Sequence, residues 1–160
     1  MEQSSNKNFK DAITSDFSKG VHEYLSHYID VADTKAGILI GLGSALLGFI
    51  FTQTNYHCSC FLLTAILLEI LAVGISIYAV LPRLYTGRKG YIFWEDILTW
   101  SSSKSYALQV SDLTQENIEE DYAEQNYYLS KILHRKFSAI RWGMLSFAVG
   151  AVFLALFLLF

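Results

Sequence analysis

Three long apolar runs dominate the sequence and restrict the folds open to it. The first is Ala36–Phe51, which has no charge and only Ser44 as a polar side chain. The second is Cys60–Leu81, in which Glu69 is the only Asp, Glu, Lys or Arg, and the third is Gly143–Phe160. A helix needs about 20 apolar residues to cross the ~30 Å hydrocarbon core of a bilayer, and these runs approach that length. The sequence therefore predicts three transmembrane helices.

The overall composition agrees with a membrane protein. Of the 160 residues, 52% are hydrophobic and 17% are charged, whereas soluble domains carry about 25% charged residues. The net charge of -3 excludes DNA and RNA as expected partners, because their backbones require clustered, excess Lys and Arg. A single proline, Pro82, interrupts the chain, which favours long helices.

The basic residues predict how the chain is oriented. Four lysines precede the first apolar run, the other eight Lys and Arg residues lie between the second and third, and the loop 53–59 has none. Lys and Arg near the ends of spans are retained on the cytoplasmic side. We therefore expect the amino terminus and residues 83–141 in the cytoplasm, and the carboxyl terminus on the far side.

Two amphipathic segments flank the apolar runs. Apolar side chains recur at helical spacing from Phe9 to Ile29 and, more loosely, from Leu113 to Ile140. Each segment continues into a span, which predicts an all-α membrane protein whose long helical cytoplasmic extensions form a stalk bundle. The expected divisions are a cytoplasmic amphipathic helix at 1–34, a transmembrane hairpin at 35–82 with spans near 36–53 and 60–81, a cytoplasmic insert and long helix at 83–141, and a third transmembrane helix at 142–160.

Three stretches carry a family resemblance over nearly the whole chain. They are YLSHYIDVADTKAG at Tyr24–Gly37, GYIFWEDI at Gly90–Ile97 and LSKILHRKFSAIRW at Leu129–Trp142. Together they resemble the transmembrane effectors of Pycsar antiphage defence. The resemblance implies that a partner cyclase makes a cyclic pyrimidine mononucleotide, cUMP or cCMP, after infection. It also implies that the effector lies in the cell inner membrane and impairs that membrane in response.

A cyclic mononucleotide presents one phosphodiester charge, a base with a π-face and a base edge with donors and acceptors. The region 83–141 and the end of the first stalk supply cations for the phosphate, aromatic rings for stacking and carboxylates that accept base or ribose protons. The expected ligand contacts are Asp33, Lys35, Arg83, Arg88, Lys89, Phe93, Trp94 and Asp96.

Six of these eight residues also have a simpler interpretation. The cations at 83, 88 and 89 satisfy the positive-inside rule and bind anionic headgroups, and Trp94 anchors the chain at the membrane boundary. Asp33 and Lys35 anchor the helix end through pairs with Arg141 and Glu95, respectively.

The apolar runs contain two further candidates. Glu69 lies mid-span, where a charge costs at least ~2.5 kcal/mol, so we expect it to be neutral or to face protein or water. It either lines a pore or is a neutral acid bonded to Ser44 or a backbone carbonyl. Gly37, Gly41 and Ala45 are four residues apart and allow close helix packing, within the chain or between protomers. Since one three-span chain is too small to enclose a pore, we expect a homo-oligomer.

The sequence shows no signature of an enzyme or a metal site. It lacks a Ser-His-Asp constellation, a glycine-rich phosphate loop and a convincing acid/base pair. His22 and His27 are five residues apart, one too many to share a helix face as metal ligands. We expect no catalytic residues, metal or cofactor. The alternative to a nucleotide-responsive effector is a constitutive membrane scaffold or anchor that docks a cytosolic partner and binds no nucleotide.

Overall fold

The computed structural model describes residues 2–52, 60–82 and 90–159, which form five α-helices. They are α1 (Glu2–Thr52), α2 (Cys60–Val80), α3 (Trp94–Leu98), α4 (Ser103–Ser111) and α5 (Gln115–Leu159). Three helices are long and apolar enough to cross a membrane: α1 over Asp16–Thr52, α2, and α5. The prediction of three long apolar helices is confirmed.

Local side-chain bonds set the boundaries of the shorter elements. The Thr114 hydroxyl accepts from the backbone N–H of Asn117 at 3.3 Å, which caps the start of α5. Ser102 caps α4 in the same way, accepting from the N–H of Ser105 at 3.1 Å. The apolar pattern did not predict α4, because its nine residues carry few large apolar side chains.

The chain divides into two compact units. The first comprises Met1–Tyr28 and Arg83–Ile132, and we call it the polar unit. The second comprises Ile29–Pro82 and Leu133–Phe160, and we call it the apolar unit. The long helices α1 and α5 each contribute residues to both units.

Two clusters of small and branched side chains hold the apolar unit together, and each draws on α1, α2 and α5. One cluster buries Ala32, Ala36, Ala79 and Ile140. The other buries Ile50, Leu62, Ala65 and Leu154. Alanines at the contact faces allow helix backbones to approach closely, which is the packing expected where lipid removes the hydrophobic drive between helices. Glu69 of α2 lies between the two clusters in sequence.

Candidate functional site

A buried carboxylate organises the interior of the polar unit. Asp121 of α5 is buried, and one of its oxygens accepts from the backbone N–H of Tyr91 at 2.9 Å and of Ile92 at 3.1 Å. A carboxylate that accepts two backbone N–H groups holds the segment before α3 against α5. Gly90, just before this segment, is glycine for a steric reason. A Cβ there would lie 2.6 Å from Oδ2 of Asp96 and 3.0 Å from Oδ1 of Asp121.

Three aromatic side chains pack together in the segment whose start is bound by this carboxylate. The rings of Tyr91 and Trp100 are stacked with centroids 5.9 Å apart, and Tyr106 lies 6.4 Å from Trp100. The Tyr106 hydroxyl donates to the carbonyl of Tyr91 at 2.8 Å. The indole N–H of Trp100 points to the carbonyl of Gly90 at 3.4 Å. These contacts fix the segment 90–106 as a folded element with polar and aromatic groups side by side.

The polar unit also encloses polar atoms that have no hydrogen-bond partner among the described residues. α1 and α5 pack through the rings of His22 and Tyr122, whose centroids are 5.6 Å apart, and through a bond from Asn126 Nδ2 to the carbonyl of Ser18 at 2.9 Å. Four buried atoms of this unit make no hydrogen bond within the described chain: His22 Nδ1, Glu95 Oε2, Gln125 Nε2 and Asn126 Oδ1. Buried polar atoms are nearly always bonded, so such a set calls for a ligand or ordered water.

The ligand contacts expected from the sequence fall in several places. Asp96 lies next to Gly90 and Asp121 in the polar unit, and Phe93 precedes the first residue of α3 as its N-cap. The Trp94 side chain is not among those described. Arg83, Arg88 and Lys89 lie outside the described residues.

Asp33 and Lys35 belong to the apolar unit. The carboxylate of Asp33 forms an ion pair with Lys136 of α5, not with Arg141. The Lys136 side chain is 8% exposed and that of Asp33 is 37% exposed, so the lysine is the more enclosed partner. The ammonium of Lys35 lies 5.3 Å from the centroid of the Phe137 ring. The sequence predicted that Asp33 anchors the helix end through a pair with Arg141. The partner is instead Lys136, which lies five residues before Arg141 on α5 and faces α1.

Glu69 is the most enclosed acid in the apolar unit. Its exposure is 0%, and neither carboxylate oxygen has a hydrogen-bond partner among the described residues. Glycines of both neighbouring helices make room for it. A Cβ at Gly150 of α5 would lie 2.8 Å from Oε1, and one at Gly43 of α1 would lie 3.6 Å from Oε2. The hydrogen bond from Glu69 to Ser44 that the sequence suggested does not form among the described residues, because Ser44 is exposed.

The small residues of α1 divide into two faces. Gly43 packs inside the unit, where an added Cβ would lie 2.7 Å from a methyl group of Val73. Gly37 and Gly41 have nothing within 4 Å of an added Cβ, and Ala45 is exposed. The face formed by Gly37, Gly41 and Ala45 therefore takes no part in packing within the described chain.

Sequence comparisons identify similar proteins. A family model described as the Pycsar effector protein domain matches residues 17–160. The Pycsar effector protein SaPycTM of Staphylococcus aureus is 33% identical over 132 residues, covering 79% of this chain and 83% of that protein. No solved structure matches the chain.

Proposed function

The chain belongs to the Pycsar effector protein family of antiphage defence, and we propose that it binds a cyclic pyrimidine mononucleotide, cUMP or cCMP, and then impairs the inner membrane. The family works with a cyclic nucleotide that a cyclase produces. In this proposal the polar unit lies in the cytoplasm and receives the nucleotide there. The basic residues between the second and third spans support that orientation.

The main structural support is the set of buried polar atoms in the polar unit that lack a hydrogen-bond partner among the described residues. Gln125 Nε2 is a donor, Glu95 Oε2 and Asn126 Oδ1 are acceptors, and His22 Nδ1 serves as either. A pyrimidine edge alternates donors and acceptors, so a mixed set of this kind can satisfy it. A ligand that bonds these atoms removes the free-energy penalty of leaving them unpaired, and this penalty provides driving force for binding.

The remaining parts of the proposed ligand site follow from charge and ring chemistry. Asp96 accepts from a base or ribose proton, and Phe93 and Trp94 stack on the base. The phosphodiester meets Arg83, Arg88 or Lys89, cations that precede the folded segment 90–106 directly in sequence. The stretch 83–90 carries these three cations and no acidic residue.

Thermal unfolding of the detergent-purified protein tests nucleotide binding. We expect one cyclic pyrimidine nucleotide to stabilise the protein, by about 2.7 kcal/mol at a hundred times its dissociation constant. Two controls are titrated over the same range. Cyclic AMP tests whether the base matters, and linear UMP tests whether the cyclic phosphodiester matters. If no nucleotide shifts the transition of folded protein, the constitutive scaffold becomes the better interpretation.

A substitution at Gln125 tests the position of the site in the same assay. Gln125→Met keeps the side-chain length but removes a buried donor without a partner, so the ligand-free protein should unfold at a higher temperature. Loss of the bond to the nucleotide should weaken binding about tenfold. Gln109→Met, at an exposed position of α4, is the matched control. Unchanged nucleotide affinity in Gln125→Met would place the site elsewhere.

The membrane response requires that the nucleotide binds one arrangement of the protein more tightly than another, because equal affinity shifts no population. We assign the response to the apolar unit and to Glu69, the enclosed acid between Gly43 and Gly150. When the helices separate in the active arrangement, its carboxyl group lines a path for cations.

Such a path needs several copies of the chain. The exposed face of Gly37, Gly41 and Ala45 on α1 is suited to close contact with a second protomer. We expect Gly41→Leu to reduce crosslinked dimers and larger species in intact membranes. Gly74→Leu is the control, because Gly74 on α2 is equally open to its surroundings. Crosslinking that yields only monomer from the unmodified protein, with and without nucleotide, would refute the oligomer.

A further inference from the structure

The apolar unit contains a cleft that the proposed function does not use. Its volume is about 660 Å³, within the range of pockets that hold small molecules. Lys35 of α1 lies on one side of it. The rest of its wall comes from α5: Phe137, Ser138, Ile140, Arg141, Trp142, Met144 and Leu145.

The positive charge of this cleft is not balanced by any described residue of its wall. Lys35 and Arg141 both line it, and none of the residues in its wall is acidic. Neither cation makes an ion pair within the described ranges, and the ammonium of Lys35 lies 5.3 Å from the centroid of the Phe137 ring. The neighbouring Lys136 differs, because Asp33 already neutralises it. Two cations from two helices therefore face one cleft without a counter-charge.

The polarity of the cleft wall changes along α5. Lys35, Ser138 and Arg141 make one part of its wall polar and cationic, whereas Met144 and Leu145 make another part apolar. Met144, Leu145 and Trp142 are all more than half exposed, at the point where the third apolar run begins. Tryptophan at such a boundary places its ring at the level of lipid head groups. This wall fits an occupant that combines an anionic group with an apolar chain.

We propose that this cleft binds an anionic phospholipid, with the phosphodiester between Lys35 and Arg141 and an acyl chain along Met144 and Leu145. Basic pockets beside transmembrane helices bind acidic head groups by this chemistry. A cyclic nucleotide shares the phosphodiester but has no chain for the apolar wall. The lipid would hold α1 and α5 together by bridging their cations, as a structural ligand separate from the nucleotide.

Native mass spectrometry of the purified full chain tests this site. Phosphatidylglycerol and phosphatidylcholine with the same acyl chains are titrated against the unmodified protein, Lys35→Gln/Arg141→Gln, and the control Lys131→Gln/Arg135→Gln. The control removes the same charges from exposed residues that do not line the cleft. We expect the unmodified protein and the control to retain phosphatidylglycerol preferentially. The cleft variant should bind it about fivefold more weakly for each cation removed, with phosphatidylcholine unaffected.

Circular dichroism establishes that both double variants are folded. Addition of cUMP, cCMP and inorganic phosphate to the lipid-bound protein then distinguishes a lipid from a free phosphate compound. Retention of phosphatidylglycerol in their presence supports the proposal, whereas its displacement by any of them assigns the cations to a soluble phosphate and overturns it. Equal binding of the two lipids, or equal loss in both double variants, also overturns it. Because nucleotide binding is measured separately by thermal unfolding, failure of the lipid site leaves that result intact.

Discussion

Asp33→Ala should lower the free energy of unfolding by about 3 kcal/mol, because it leaves Lys136 enclosed without its counter-charge. Lys136 is the more buried partner of the ion pair, so it cannot recover its hydration without moving out of the contact between α1 and α5. Unfolding by sodium dodecyl sulfate in mixed micelles measures the difference. Asp30→Ala, at an exposed carboxylate one turn earlier on α1, should change the free energy of unfolding little.

A second substitution separates the lost pair from a general effect at position 33. Lys136→Met replaces the charged head with an apolar side chain of similar length, and the double variant Asp33→Ala/Lys136→Met contains no unpaired buried charge. Replacing a buried pair by apolar groups is often neutral or stabilising. We therefore expect the double variant to recover most of the stability lost in Asp33→Ala. If it is as unstable as the single variant, the pairing is not the cause.

Glu69→Leu should have the opposite effect on stability and remove the membrane response. The carboxyl group is enclosed with no hydrogen-bond partner in the described chain, so an apolar side chain of similar volume should stabilise the resting protein by about 2 kcal/mol. The same change removes the polar group that lines the proposed cation path. Dye and potassium release from proteoliposomes, after addition of the nucleotide that stabilises the protein, measures the loss.

Glu69→Gln distinguishes the effect of a polar side chain from the effect of a charged one at the same position. It keeps the size and polarity of the side chain but cannot ionise, so ion release should fall if an ionised carboxylate lines the path. The thermal shift with nucleotide should remain unchanged in both variants, because Glu69 belongs to the apolar unit and not to the proposed ligand site. Release that continues unaltered in both would exclude Glu69 from the path and leave it a packing residue.

The long helices were predictable because their physical cause lies in local sequence. Runs without charge, such as Ala36–Phe51, satisfy a length criterion that does not depend on the rest of the chain. α4 has no comparable signal: its cap is one serine hydroxyl, and its only large ring, Tyr106, is fixed by the carbonyl of Tyr91. Contacts of this kind between segments leave no periodic pattern of residues in the sequence. The proposed stalk bundle and membrane orientation remain predictions.

The candidate site was less predictable for the same reason. Asp121 lies in a run of acidic residues that reads as a solvated helix face, and nothing local distinguishes it from Glu119 or Glu120. It is special because its burial beside Gly90 brings two backbone N–H groups to its carboxylate. Gly90, at the start of the GYIFWEDI segment, was the available signal, since glycine fits where other atoms approach the backbone closely. Gln125 and Asn126 had no such marker.

The position of Glu69 also bears on how the chain is made. Its carboxyl group is enclosed by Gly43 of α1 and Gly150 of α5, and α5 is the last of these helices to be translated. While α2 leaves the translocon, one wall of the enclosure has therefore not yet been synthesised, and lipid or an insertion factor must accommodate the acid. A ribosome that stalls in this interval leaves a hairpin with an acidic group facing lipid.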